Sequence, residues 1–426
     1  MPGRARKQIV IVGAGFGGLA VALGLRGVEA DLTIVDRLNH HLFQPLLYQV
    51  ATAALSPSDI ATATRSLLRH GDAEVIMADV TGIDTQRRLV RFSDGISAPY
   101  DYLVLATGSV DNFFGHKEWA DHSFVLKNLD DALAVRRHLL ELFEKAERCD
   151  DSAAIERLLT LVIVGGGPTG VELSGTIAEL CRTTLARDFK RIDPAATRII
   201  LCEAGNRLLT SFSVAQSAYA AKVLESLGVE LLMNHRIEKI ERGRVRAGGE
   251  DIETATVLWC AGTRPRPAAS WLNAAASKDG GVKVRPDCSV EGHSEIFAIG
   301  DVAACLSASG KPLPKLASVA KQQGGYVAKQ LKSRLAGKAD SRPFRYRDWG
   351  ALAVIGRSRA VARFGGMDLT GRIAWLTWAL VHLALLVDFR SRILVYINWT
   401  WAWLNGNRGV RLIVGTTDNG AVDHDK

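Results

Sequence analysis

Cysteine is scarce in this chain: six residues in 426, at positions 149, 181, 202, 260, 288 and 305, with no CxxC or CxxxxC pair and no histidine-rich companion. That distribution argues against a disulfide framework, a metal site or a redox dithiol, so the thiols are expected to be buried and free. Also missing is any apolar run of about 20 residues, the length that crosses a bilayer. The N-terminal Met1-Pro2-Gly3-Arg4-Ala5-Arg6-Lys7 runs directly into an apolar strand, without room for a signal peptide, and a cytoplasmic protein is expected. Excess charge is absent from most of the chain. The first 330 residues hold 38 Lys and Arg against 38 Asp and Glu, and the net +8 lies in residues 331–426, with 15 basic residues against 7 Asp. A balanced body predicts no nucleic-acid partner, and a local basic excess suits a surface facing anionic lipid. Length and a hydrophobic content of 47% fit two or three globular domains.

What the chain does contain is a repeated phosphate-binding pattern. Gln8 to Val12 enters Gly13-Ala14-Gly15-Phe16-Gly17-Gly18, with Asp36 closing the strand from Asp31. Leu161 to Val164 enters Gly165-Gly166-Gly167-Pro168-Thr169-Gly170, with Glu203 closing the strand from Ile199. Gly13 and Gly165 permit the tight turn, Gly15 and Gly167 admit pyrophosphate, and Gly18 and Gly170 allow close helix–strand packing. The helix N-termini then face the phosphates. Asp36 lies 23 residues past Gly13, the usual spacing for an acid on ribose hydroxyls, whereas Glu203 lies 38 past Gly165, which implies an insertion at Cys181 to Ala196. An acid at either place repels a ribose 2′-phosphate and favours NADH over NADPH at the second site; a solvated carboxylate at a strand end is the plainer reading.

Strand, glycine turn and helix opening both units predict a pair of doubly wound α/β domains. Ala106-Thr107-Gly108 and Ala261-Gly262 each follow a buried strand and mark crossings between domains, or simple tight turns. Phe297-Ala298-Ile299-Gly300-Asp301 reads as the chain returning to the first domain, with Asp301 placed for the ribityl chain of a flavin. This is a two-nucleotide flavoprotein plan, with the NADH domain inserted into the FAD domain and hydride transfer as its chemistry. Near the C-terminus, Ile373 to Val387 is apolar but only 15 residues long, Ile393 to Leu404 carries three tryptophans, and Arg390 and Arg392 separate them. Apolar helices with interfacial Trp and flanking Arg predict a protein lying in one leaflet; a buried helix hairpin or a dimer contact uses the same residues. His382 is expected to be packed rather than a proton carrier. A lipid-facing end makes a quinone the natural acceptor.

The two glycine turns, His41-Leu42-Phe43-Gln44-Pro45-Leu46-Leu47-Tyr48-Gln49-Val50-Ala51, Ala106 to Gly108, Gly165 to Glu179, Phe297 to Asp301 and the Trp-rich terminus together resemble the type II NADH:quinone oxidoreductases, across nearly the whole chain. The resemblance implies two Rossmann-like domains and a C-terminal amphipathic helical membrane anchor. Residues 1–120 and 271–335 would bind FAD, 121–160 form a helical connection, 161–270 bind NAD(H), and 336–426 form the anchor. It further implies non-covalent FAD, NADH as donor, a membrane quinone as acceptor without proton pumping, commonly a homodimer, and a peripheral, monotopic place on the cytoplasmic face of the cell membrane. Arg37, Pro45, Gln49, Ala317 and Ser318 join the glycine turns, Asp36, Ala106 to Gly108, Gly300, Asp301, Glu203, Ala261 and Gly262 as implied cofactor-binding residues. Glu172, Gln322 and Gln323 are implied as catalytic, Glu172 assisting hydride transfer or relaying protons, with a dipole-stabilised carboxylate as its plainer reading. One departure stands out: the family's quinone-site helix reads Ala-Gln-x-Ala-x-Gln, and here Ser318 replaces the first glutamine while Gln322 matches the second. The alternatives are a sulfide:quinone, disulfide or ferredoxin reductase, or a flavoprotein that binds NADH as an interaction partner. The first two require paired cysteines beside the flavin.

Overall fold

Val10 to Val12 and Leu161 to Val164 are apolar on both strand faces, and such strands belong inside parallel sheets covered by helices on either side. In the computed structural model, which describes residues 6–69, 71, 73–338, 342–405 and 409–413, each lies in the centre of such a sheet. The chain forms two compact units. One draws on Met1–Leu42, Ala61–Asn112 and Gly262–Trp349, the other on Phe43–Ile60, Phe113–Ala261 and Gly350–Lys426.

The first unit is built on a six-stranded sheet in the order Ser289–Val290, His293–Ala298, Tyr102–Leu105, Lys7–Val12, Ala30–Asp36, Ala73–Met77. All neighbours pair in parallel except the first two. Val10, Val12, Leu103, Leu105, Ile296 and Ala298 fill its core. The helices Phe16–Gly24 and Ala317–Leu335 pack closely because glycines line the contact: a Cβ at Gly324 would stand 2.4 Å from the carbonyl oxygen of Gly17.

The second unit has a four-stranded parallel sheet in the order Val229–Met233, Arg198–Glu203, Thr160–Val164, Thr256–Trp259. The helix Leu129–Glu147 starts at a capping box formed by Asn128 and Asp131. The insertion expected at Cys181 to Ala196 comprises a π-helical turn, Leu180–Thr184, and two 3-10 turns, Leu185–Arg187 and Pro194–Ala196, and Cys181 is buried within it. The unit closes with an antiparallel meander, Ala351–Gly356, Arg359–Phe364 and Met367–Thr370, followed by the helices Gly371–Leu385 and Phe389–Asn405. The architecture is the α/β class with two doubly wound sheets and C-terminal helices. Among the described residues no helix is long and apolar enough to cross a membrane.

Candidate functional site

In the first cradle Gly13 has φ +106°, and a Cβ there would lie 2.3 Å from the carbonyl oxygen of Ala106, while one at Gly18 would lie 1.7 Å from that of Gly13. Both positions therefore require glycine. A Cβ at Gly15 would meet nothing within 4 Å: that side of the turn is open, at the start of a helix with no acid in its first turn. Asp36 Oδ2 accepts from the Ala14 N–H at 2.6 Å and Oδ1 from the Leu38 N–H at 2.8 Å. The acid thus braces the turn with one lone pair per oxygen and leaves the others for ribose hydroxyls. Arg37 is exposed. Two buried polar atoms beside the cradle have no partner, Thr107 Oγ1 and His41 Nε2. At the returning strand Gly300 has φ +71°, and Asp301 Oδ2 accepts from Ser109 Oγ at 2.6 Å. Ser109 gave no signal in sequence, since only the folded sheet brings it to Asp301.

In the helix Ala317–Leu335 both glutamines have backbone partners. Gln323 is 1% exposed, and its Oε1 accepts from the Gly300 N–H at 2.7 Å. Gln322 Nε2 donates to the Arg347 carbonyl at 2.8 Å, and its Oε1 accepts from the Arg347 N–H at 3.0 Å. Each amide holds a chain segment. Ser318, in place of the usual glutamine, pairs with the Tyr346 hydroxyl at 3.1 Å, so a phenol stands beside the position where the amide is missing. Ala317 is the first residue of this helix. Cys288 and Cys305 are buried and free, and the neighbouring thiol together with burial raises the Cys288 pKa well above its ordinary value. Their separation in sequence concealed the pair.

The second cradle repeats the first. Gly165 has φ +107°, a Cβ at Gly170 would lie 1.9 Å from the Gly165 carbonyl oxygen, and one at Gly167 would meet nothing. Pro168 occupies the first turn of the helix Pro168–Glu179, again without an acid, and Thr169 is exposed beside it. Glu203 Oε2 accepts from the Gly166 N–H and Oε1 from the Gly205 N–H, both at 2.7 Å. Ala261 lies against Gly165, within 3.0 Å of where a Cβ would be, and Gly262 has φ +90°. Further along the helix, burial pushes the Glu172 carboxyl up to about 8, opposed only by a 3.4 Å bond from the Val354 N–H to its Oε1. Desolvation outweighs the helix dipole, which would have lowered it.

Pro45 and Gln49 group with the second unit. Gln49 is buried, accepting from Trp399 Nε1 at 2.7 Å and donating to the Tyr48 hydroxyl at 2.9 Å, so both ends of its amide are engaged. In the C-terminal helices Trp378 is 2% exposed, meets the ring of Trp399 at 4.9 Å with a 32° tilt and accepts at its carbonyl from His382 Nδ1 at 2.7 Å. Burial takes His382 down to about 4, which makes it a neutral, packed residue. The opposite side presents Ile373, Leu376, Leu380, Phe389, Ile393, Tyr396, Ile397, Trp401 and Leu404 to the outside. Each helix therefore carries one packed and one exposed apolar face.

Open sides at Gly15 and Gly167 and acid-free helix starts fit a dinucleotide in each unit, and the orphaned polar atoms at Thr107 and His41 add to the fit in the first. Among the described residues no cluster of His, Cys, Asp and Glu forms a metal site. Fold and cradles define a pyridine-nucleotide flavoprotein, and residues 7–324 match the family described as pyridine nucleotide-disulphide oxidoreductase, with residues 349–408 matching the NDH2 C-terminal domain. The chain is 37% identical over 419 residues to the type II NADH:quinone oxidoreductase Ndh of Mycobacterium tuberculosis, covering 95% of this chain and 89% of the relative. It is 30% identical over 378 residues to the type II NADH:quinone oxidoreductase of Staphylococcus haemolyticus, covering 87% and 92%. The fold is similar to that of NDH2 from Plasmodium falciparum solved in complex with NADH, with a TM-score of 0.87 at 20% identity over 96% of this chain and all of that one. The sulfide:quinone oxidoreductase of Aquifex aeolicus shares the fold at a TM-score of 0.72 and 17% identity, over 94% of this chain and 92% of that one. The chain belongs to the type II NADH:quinone oxidoreductases, an FAD-dependent family.

Proposed function

We propose that this protein oxidises NADH through bound FAD and reduces a membrane quinone, without pumping protons. Two phosphate cradles, each braced by its own acid in a chain of this family, carry the reading. FAD, once bound, supplies the chemistry, taking a hydride from NADH and passing two electrons to quinone. The residues bind, orient and exclude water. Residues 1–120 and 271–335 hold FAD through the Gly13 to Gly18 turn, Asp36, Arg37, Ala106 to Gly108, Gly300 and Asp301, and residues 161–270 hold NADH through Gly165 to Gly170, Glu203 and Ala261. Residues 121–160 connect the two and 336–426 form the anchor. Gln323 acts through Gly300, keeping the Asp301 turn in place. Glu203, held by two N–H groups, sets a carboxylate at the strand end that would repel a ribose 2′-phosphate and so selects NADH. Glu172 Oε holds a proton that is released in the neutral range, which suits proton delivery during quinone reduction.

The exposed apolar faces of Gly371–Leu385 and Phe389–Asn405 support peripheral, monotopic attachment to a membrane, and the family resemblance alone extends this to the cytoplasmic face of the cell membrane and a homodimer. Anaerobic stopped-flow tests the whole reading. NADH should bleach the flavin absorbance faster than NADPH does, and a short-chain quinone should restore it. A flavin that NADH leaves oxidised would end the proposal.

A further inference from the structure

One buried base beside the first cradle has no task in the reaction above. His41 lies in the strand His40–Leu42, is 3% exposed, and meets the ring of Phe16 edge-on at 5.3 Å. Its Nδ1 lies 2.9 Å from the carbonyl oxygen of Ala14, inside the glycine turn. A carbonyl oxygen only accepts, so the ring proton sits on Nδ1 and Nε2 carries a lone pair. That Nε2 is buried and has no partner. Residue Ala14 is held through both its backbone groups, its N–H on Asp36 and its carbonyl on His41, and the next residue, Gly15, has the open side.

The charged and titratable groups around the ring are Asp36, His40 and Lys321. Burial lowers the imidazole pKa, helped by His40 and Lys321 and opposed by the Ala14 bond and Asp36, which leaves a neutral ring. A neutral Nε2 and a phosphate oxygen are both acceptors and cannot satisfy each other. A hydroxyl can.

We infer that His41 is an FAD-binding residue whose Nε2 accepts a hydrogen bond from a sugar or ribityl hydroxyl of the dinucleotide, while its Nδ1–H sets the ring on the glycine turn. The inference rests on FAD occupying the first unit. If it does not, the wild-type holoprotein will carry no flavin, which is visible before any variant is made.

Three variants separate the two ring nitrogens. His41→Asn keeps an N–H that reaches the Ala14 carbonyl but removes the distal acceptor; His41→Gln supplies an amide oxygen near the Nε2 position; His41→Phe keeps the ring contact with Phe16 and removes both polar atoms. FAD affinity is read from the fluorescence of flavin released on dilution of each holoprotein, and melting of the stripped proteins reports their folding. His41→Asn and His41→Phe should weaken FAD binding about tenfold, the value of one hydrogen bond to a buried acceptor, and His41→Gln should recover most of it. Wild-type affinity in His41→Asn would leave His41 as a brace for Ala14 alone, and equal losses in all three would mean packing alone; either overturns the inference. Wild-type binding should also be flat between pH 7 and 9, without proton uptake in calorimetry with paired buffers. Uptake of one proton, with affinity falling as pH rises, would assign an imidazolium on phosphate instead and refute the hydroxyl contact.

Discussion

Glu172→Gln should abolish a specific pH dependence of stability. In the unfolded chain this carboxyl titrates at its ordinary 4.5, and burial carries it to about 8 in the folded protein. The folded pKa is the higher one, so the folded state binds the proton more tightly, and the contribution is full below pH 4.5. It declines as pH rises and is gone once pH passes 8. Each pH unit in that window removes about 1.4 kcal/mol, so between pH 6 and 9 the wild type should lose roughly 3 kcal/mol through this group alone. Glutamine imitates the protonated acid and does not titrate. The variant should therefore melt with the wild type at pH 6 and above it at pH 9, by roughly 5–10 °C for a unit of this size. Thermal melts of both proteins across that range, compared as a difference, cancel the other titrating groups. A difference that stays constant from pH 6 to 9 would show that Glu172 is ionised throughout, and its role as a proton donor would fall with it.

The glycine positions of the first cradle should separate folding from binding. Gly18→Ala places a Cβ against the Gly13 carbonyl and should yield little soluble protein, whereas Gly15→Ala should melt like the stripped wild type yet retain at most about a tenth of the flavin by absorbance ratio. Glu203→Gln removes the negative charge at the second cradle, and its ratio of kcat/KM for NADPH over NADH should rise by roughly tenfold, about 1.4 kcal/mol of relieved repulsion; an unchanged ratio would mean that selectivity resides elsewhere. Replacing Ile373, Leu380 and Trp401 together by Glu alters only the exposed apolar face, and should release the protein from anionic liposomes in flotation assays without changing flavin content.

The sheets and cradles were legible because local chemistry encodes them. A strand apolar on both faces, a glycine where φ must be positive, and an acid one strand later recur at Gly13 and at Gly165, and Asp36 and Glu203 each accept a backbone N–H of the turn. Pairings across long stretches of chain were not. Nothing near Gln323 announces that its amide holds Gly300, or that Gln322 spends both ends of its amide on Arg347. The same holds for Cys288 and Cys305, whose spacing matches no motif, and for Pro45 to Ala51, read as part of the flavin region but packed with the second unit. Glu172 was visible as a residue; its elevated pKa depends on burial that only the fold supplies.

The strand Ala351–Gly356 lies so close to the helix Pro168–Glu179 that a Cβ at Gly175 would stand 1.8 Å from the carbonyl oxygen of Ile355, and Glu172 and Glu179 accept from the backbone of Val354 and Arg357. The C-terminal meander and this helix are thus packed as one piece. An exchange of C-terminal segments between relatives would have to carry the matching helix face with it.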